Sequence, residues 1–295
     1  MTMSRTIELN ELAEHASSQA RDAAVRAGVE VRVLDEIDEF RRASEIFESI
    51  WGTGPANAQM PAELIRALTH AGSYAAGAWL DGSMAGAVVG VLGRDRLGDH
   101  LHSHILGVDR AVRTRGVGYA LKQHQRAWAL EHGLRRVMWT FDPLVRRNAH
   151  FNLHKLGAEA ASYEDNFYGS MTDGVNAGDE SDRLFVSWRL DADRTVEAAS
   201  GRLSELNADA LLGGGAVVGL EADGSRAASH DAPLVLCATP ENIVSVRRED
   251  PNLALRWRHA LRDTLGDAMR SGYVVRGFTR SGWYVLSRDG HSAGS

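Results

Sequence analysis

Residues 108–118, Val-Asp-Arg-Ala-Val-Arg-Thr-Arg-Gly-Val-Gly, constrain this chain more than any other stretch. The apolar, alternating run from His100 to Val108 predicts a strand that enters a tight turn. The turn holds Arg113, Arg115, Gly116 and Gly118, and a helix opens directly behind it. The first amides of a helix have no partner inside it and point at whatever precedes it, so with the helix dipole they attract anions. Glycines let a bulky anion approach the backbone closely. Two other phosphate loops fail on residue identity. The third glycine of a dinucleotide fingerprint falls on Leu121, and no lysine follows Gly118 as a Walker loop requires.

The segment behind the turn is patterned just as clearly. Val117, Ala120, Leu121, His124, Ala127, Trp128 and Leu130 follow a helical period, with Gly133 past the end. A strand is predicted over Arg136 to Phe141, a break at Pro143, and a second helix from Arg146 to Leu156 ending at Gly157. Strand, R-x-x-G-x-G, helix, strand, then a helix ending Lys155-Leu156-Gly157-Ala158 resembles the cofactor region of the GNAT acyltransferase superfamily. The resemblance covers about residues 29–190. The stretch Trp139 to Asn152, with Asn176 and Ser181-Asp182-Arg183, is similar to one poorly characterised branch of it. The resemblance implies an α/β (α+β) fold: a mixed, mostly antiparallel central sheet flanked by helices, followed here by a small C-terminal α+β unit. It implies acetyl-CoA or another acyl-CoA as donor. It also implies that the strand ending at Val108 and the strand Arg136 to Phe141 splay apart to admit the pantetheine arm.

Composition bounds the setting. The chain has 295 residues, 44% hydrophobic and 24% charged, which are globular values. No apolar run is long enough for a membrane span, and Met1 to Asn10 lacks a signal-peptide core. The one cysteine, Cys237, forbids an intrachain disulfide and points to a cytoplasmic, reducing setting. It lies in an apolar run, Pro233 to Ala238, as a core residue would. A net charge of −6 without a long basic block argues against nucleic acid as partner.

Four segments are expected: an N-terminal helical extension over 1–28, the acyl-CoA-binding domain over 29–190, a partly linker-like 191–230, and the C-terminal unit over 231–295. In the second, Val29 to Leu34 reads as a strand and Phe40 to Trp51 and Ala62 to Leu68 as helices. Tyr74 to Leu80 and Met84 to Leu92 read as a hairpin turning at Asp81-Gly82. In the last, Asn252 to Met269 reads as one helix and 272–287 as a hairpin around Ser281-Gly282. One helix and one hairpin bury little, so this unit must pack on residues 215–245, on the first domain or on another chain. A homodimer stays open.

Acyl transfer to an amine needs a neutral nucleophile, a polarised thioester carbonyl, a proton for the leaving thiolate, and alignment. His100, His102 and His104 alternate onto one strand face and titrate near neutrality, so His102 or His104 is the expected base. Successive imidazoles stand about 7 Å apart, too far for all three to bind one ion, and no metal is expected. The superfamily places a tyrosine four residues before the glycine of its last helix; Leu153 stands there instead. His150, Asn152 and Tyr163 are the candidate replacements. By resemblance, Leu106, Gly107, Val108, Arg113, Thr114, Arg115, Gly116, Val117, Gly118, Tyr119, Asp142 and Asn148 contact the cofactor. For the acceptor, a small amine or amino-acid-like molecule, Trp139 and the polar residues Asp173, Asn176, Asp182 and Arg183 are the candidates. The reaction expected is N-acyl transfer within a ternary complex, from acetyl-CoA or a larger donor such as succinyl-CoA. The missing tyrosine leaves a non-catalytic acyl-CoA-binding module as the alternative.

Overall fold

The computed structural model describes residues 3–52, 59–169, 179–227 and 232–288. It divides into two compact units, Met1–Trp139 with Arg189–Ala192, and Thr140–Trp188 with Asp193–Ser295.

The first unit runs α1 (Met3–Ala27), β1 (Glu30–Val33), α2 (Ile37–Trp51), α3 (Ala62–His70), β2 (Tyr74–Leu80), β3 (Ser83–Asp95), β4 (Gly98–Val108) and α4 (Val117–Glu131), and enters β5 (Arg136–Phe141). Its strands lie in the order β1-β2-β3-β4-β5. Neighbours are antiparallel until the last pair, where β4 and β5 run parallel. Asp81 and Gly82 both have positive φ, so the β2–β3 hairpin turns as its Asp-Gly pair predicts. On one face of the sheet, α2 and α3 bury Phe40, Ile46, Phe47 and Ile65 against Val89 and Ile105. Gly107 lies on this face, where a Cβ would come within 2.8 Å of Ile50. Leu106 and Val108 point the other way, towards Gly118 of α4.

α4 has little exposed surface through its middle. The sheet covers one side, and α1 packs along the other. The buried edge of α1 is alanine: Ala13, Ala16, Ala20, Ala23 and Ala27 recur every three or four residues. Small side chains let the helices approach closely, and the contact seals polar residues of α4 inside. Arg126 is one. It donates to Gln19 Oε1 of α1 at 2.7 Å and to the Leu190 carbonyl at 3.1 Å.

In the second unit, α5 (Arg146–His150) widens into a π-helical turn over Phe151–Lys155, and β6 (Glu159–Glu164) pairs antiparallel with β7 (Arg183–Arg189). There follow α6 (Asp193–Ala199), α7 (Ala208–Gly213), β8 (Val217–Leu220), β9 (Leu234–Ala238), α8 (Ile243–Glu249), α9 (Pro251–Leu261), α10 (Asp267–Arg270), β10 (Tyr273–Phe278) and β11 (Trp283–Arg288). A four-stranded sheet has the order β10-β11-β9-β8. The C-terminal hairpin thus completes its sheet on β9 and β8.

The stretch expected to be partly linker carries α6, α7 and β8, and Ala208, Leu211 and Ala216 in it pack against Leu236 and Val285. One expectation changes here. The single helix over 252–269 is α9, a π-helical turn over Arg262–Gly266, and α10. Its stripe survives in part: Trp257, Leu261 and Leu265 are buried. No helix among the described residues is long and apolar enough to cross a membrane.

Candidate functional site

The site is built on β4. Its pairing with β3 runs Val89↔Ile105 and then Gly90↔Ser103, so His104 is an extra residue, a β-bulge. The bulge changes the side-chain alternation. Ser103 faces α4, where it meets Lys122, and beyond the bulge the α4-facing residues are Leu106 and Val108. The three histidines therefore do not continue one regular row. His102 and His104 still face each other, with ring centroids 6.1 Å apart. Burial, and then the neighbouring His104, hold the His102 imidazole below its ordinary value; burial does the same to His104. Both are held in the neutral, proton-accepting form at neutral pH.

On its other edge β4 pairs with β5 only at Leu101↔Val137 and His102↔Met138. These are the two register pairs between β4 and β5. The last residue of β4, Val108, leads into one turn of 3₁₀ helix at Arg110–Val112, capped by Asp109. Residues 113–116 follow, all exposed. Gly116 sits at the N-cap of α4 with φ 87°, a conformation costly for any residue with a Cβ. Arg113 Nε lies 3.4 Å from the Val108 carbonyl, while Thr114 and Arg115 project outward. The amides of Val117, Gly118 and Tyr119 belong to the first turn of α4 and have no intrahelical acceptor.

Lys122 and Trp139 lie where the strands part. Lys122 Nζ donates to Ser103 Oγ at 3.1 Å and Gln125 Oε1 at 2.7 Å, and stands 3.7 Å from the centroid of the Trp139 ring. Burial pulls the lysine well below its ordinary pKa. Trp139 is an acceptor candidate from sequence, whereas Lys122 gives no signal there, since a lysine on a helix is normally solvated.

The remaining candidates belong to the second unit. Asp142 is buried and accepts from Arg258 Nη1 at 2.8 Å, from Arg247, and from the Leu144 amide at 3.0 Å. Burial raises its carboxyl, but Arg258 and Arg247 outweigh that and hold it far below the carboxylate range. Arg258 and Arg247 both reach Asp179 Oδ2 at 2.8 Å. Asp182 accepts from Tyr163 at 2.7 Å, from Arg262 Nε at 3.0 Å and from the Asn166 amide at 2.9 Å. Arg183 is buried with its guanidinium over the Tyr168 ring. Asp142, and Tyr163 with Asp182, thus sit in two neighbouring ionic clusters, with their polar atoms engaged inside the protein. The arginines that complete these clusters, Arg247, Arg258 and Arg262, carry no local signal in the sequence. Asp173 and Asn176 lie outside the described residues.

Asn148 is half-buried on α5, Asn152 and Leu153 are buried, and the Asn152 carbonyl accepts from the Ala158 amide at 3.0 Å. His150 lies 3.4 Å from Glu205 and its ring centroid 4.9 Å from that of His154. Among the described residues these three form the one grouping with metal-ligand character. Glu205 already accepts from Arg280 at 3.0 Å, and Lys155 and Arg194 add positive charge beside His154. The arrangement is that of a surface ionic cluster.

The sequence matches none of the curated proteins. Similar solved structures include an aminoglycoside acetyltransferase from an uncultured soil metagenomic sample in complex with sisomicin, at 18% identity over 39% of this chain and 78% of that one (TM-score 0.35). An acetyltransferase of the GNAT family from Streptococcus pneumoniae shares 14% over 54% and 98% (TM-score 0.43). An N-acetyltransferase from Staphylococcus aureus Mu50 shares 16% over 55% and 98% (TM-score 0.43). The model of the acetyltransferase (GNAT) family matches residues 39–158, a span that holds β4, the bulge, the turn and α4. Residues 39–158 are thus similar to the acetyltransferase (GNAT) family.

Proposed function

We propose that the protein is an acyl-CoA-dependent N-acyltransferase that moves a short acyl group, acetyl first among them, to the amine of a small or amino-acid-like acceptor. The observation that carries this reading is the end of the β4–β5 pairing at His102↔Met138, followed along β4 by an exposed turn whose helix amides suit a diphosphate. The pantetheine arm lies along the unpaired edge of β4, and the arm's amides take the place of a neighbouring strand. His102 or His104 accepts the proton of the ammonium. The neutral amine attacks the thioester carbonyl, a β4 amide beyond the bulge stabilises the oxyanion, and collapse expels the CoA thiolate. The CoA thiolate, whose thiol has a pKa near 8.5, leaves readily and takes up, through water, the second proton that the attacking nitrogen sheds. His150, Asn152 and Tyr163 do not suit that proton. Tyr163 is held by Asp182, and burial raises its pKa well above the ordinary value. Asn152 carries no acidic proton, and His150 is engaged with Glu205.

Thermal denaturation with acetyl-CoA, succinyl-CoA, longer acyl-CoAs, free CoA and NAD tests the reading. A ligand that binds only the folded state stabilises it by about 2.7 kcal/mol at 100 times its Kd. Stabilisation by CoA thioesters and not by NAD is expected, with thioester consumption once a suitable amine is added. No shift at millimolar concentration refutes the donor assignment. Tight binding without turnover on any amine favours a binding module instead.

A further inference from the structure

β4 and β5 part immediately after the His102↔Met138 pair. The next residue on β4 is Ser103 and the next on β5 is Trp139. Lys122, reaching in from α4, touches both, through a hydrogen bond to the first and its amine over the ring of the second. One side chain therefore fills the point where the strands diverge. Ser103, Lys122 and Trp139 are 7%, 3% and 7% exposed, so this point is packed closed. It stands at one end of the unpaired stretch of β4, and the amide-lined turn stands at the other. A thioester held by its diphosphate at the turn and extended along β4 directs its acyl group at the closed end.

On the acyl-CoA reading above, we propose that Lys122 is the floor of the acyl compartment and sets the length of acyl chain the enzyme accepts. The unbranched stem fills a narrow wedge between helix and strands while the amine is tied at its tip. Ser103, Gln125 and the Trp139 face hold that tip from three directions, so a longer acyl chain has to break all three contacts to displace it. A free apolar side chain at 122 gives way more easily, and a smaller one leaves a hole. The donor is consequently a short acyl-CoA.

The test is calorimetric titration of the full chain with acetyl-, butyryl- and hexanoyl-CoA, which needs no acceptor. Wild type is expected to bind acetyl-CoA at least about ten-fold tighter than hexanoyl-CoA. Lys122→Ala is expected to raise the affinity for hexanoyl-CoA relative to acetyl-CoA by about ten-fold or more, the scale on which apolar pockets discriminate chain length. Lys122→Met, unbranched and nearly as long, is expected to shift the ratio less. A Lys122→Ala protein with the wild-type ratio overturns the proposal. Should that variant not fold, the wild-type series still decides, because equal or tighter binding of hexanoyl-CoA overturns it too. Failure of wild type to bind any CoA thioester overturns the acyl-CoA reading itself, whereas binding with an unmoved ratio overturns only the role of Lys122.

Discussion

Replacing Arg258 by leucine tests the electrostatics of the second unit. Arg258 is 1% exposed and donates to two buried carboxylates, Asp142 at 2.8 and 3.1 Å and Asp179 at 2.8 Å. Arg247 remains to serve both, so the substitution leaves two buried carboxylates sharing one cation. Breaking a buried pair from one side costs about 3–5 kcal/mol, because the orphaned charge has lost its hydration without compensation. At about 2–4 °C per kcal/mol for a body of this size, the transition should fall by about 6–20 °C. The pH dependence fixes the sign independently. The carboxyl of Asp142 is depressed in the folded state, so its contribution is present above the unfolded pKa near 3.9 and is lost as pH falls through the folded value. In the variant that carboxyl protonates more readily, and the deficit should shrink below about pH 4. Urea denaturation at pH 7 and again below pH 4, followed by circular dichroism, measures both. Adding Asp142→Asn to the variant should recover much of the loss, since the orphaned charge is gone. A deficit under about 1 kcal/mol at pH 7, or one equal at both pH values, would refute the reasoning.

Three further outcomes are expected. Gly116→Asp should abolish CoA binding in a calorimetric titration, since it sets a side chain at φ 87° and a negative charge against the diphosphate; unchanged affinity would refute the loop assignment. Wild type should show an acid limb in its pH–rate profile below pH 6.5, because the imidazoles of His102 and His104 titrate below the ordinary value. His102→Ala with His104→Ala should remove that limb and cost about 10²-fold in rate, whereas a retained limb would assign the base elsewhere. Burial pushes the Cys237 thiol up to about 12, so iodoacetamide should label the protein only once urea unfolds it, as mass spectrometry would read.

What the sequence carried by itself is local. The Asp81-Gly82 turn, the strand running into R-x-x-G-x-G, the helix behind it and the C-terminal hairpin each depend on residues a few positions apart. Their signals are dihedral preference and apolar period, which need no knowledge of the rest of the chain. The turn proposed to hold the diphosphate is legible for the same reason, since its amides and its glycines are consecutive. Long-range burial was decided only by the tertiary structure. Arg258 meets Asp142 across 116 residues, and nothing local separates that arginine from a solvated one. Lys122 and Arg126 look like the polar face of α4 until α1 and the sheet close over them. The bulge at His104 is invisible in an alternating pattern, because it is defined by the strand beside it. A side chain's chemistry in this protein follows from what covers it, and that is set by the whole fold.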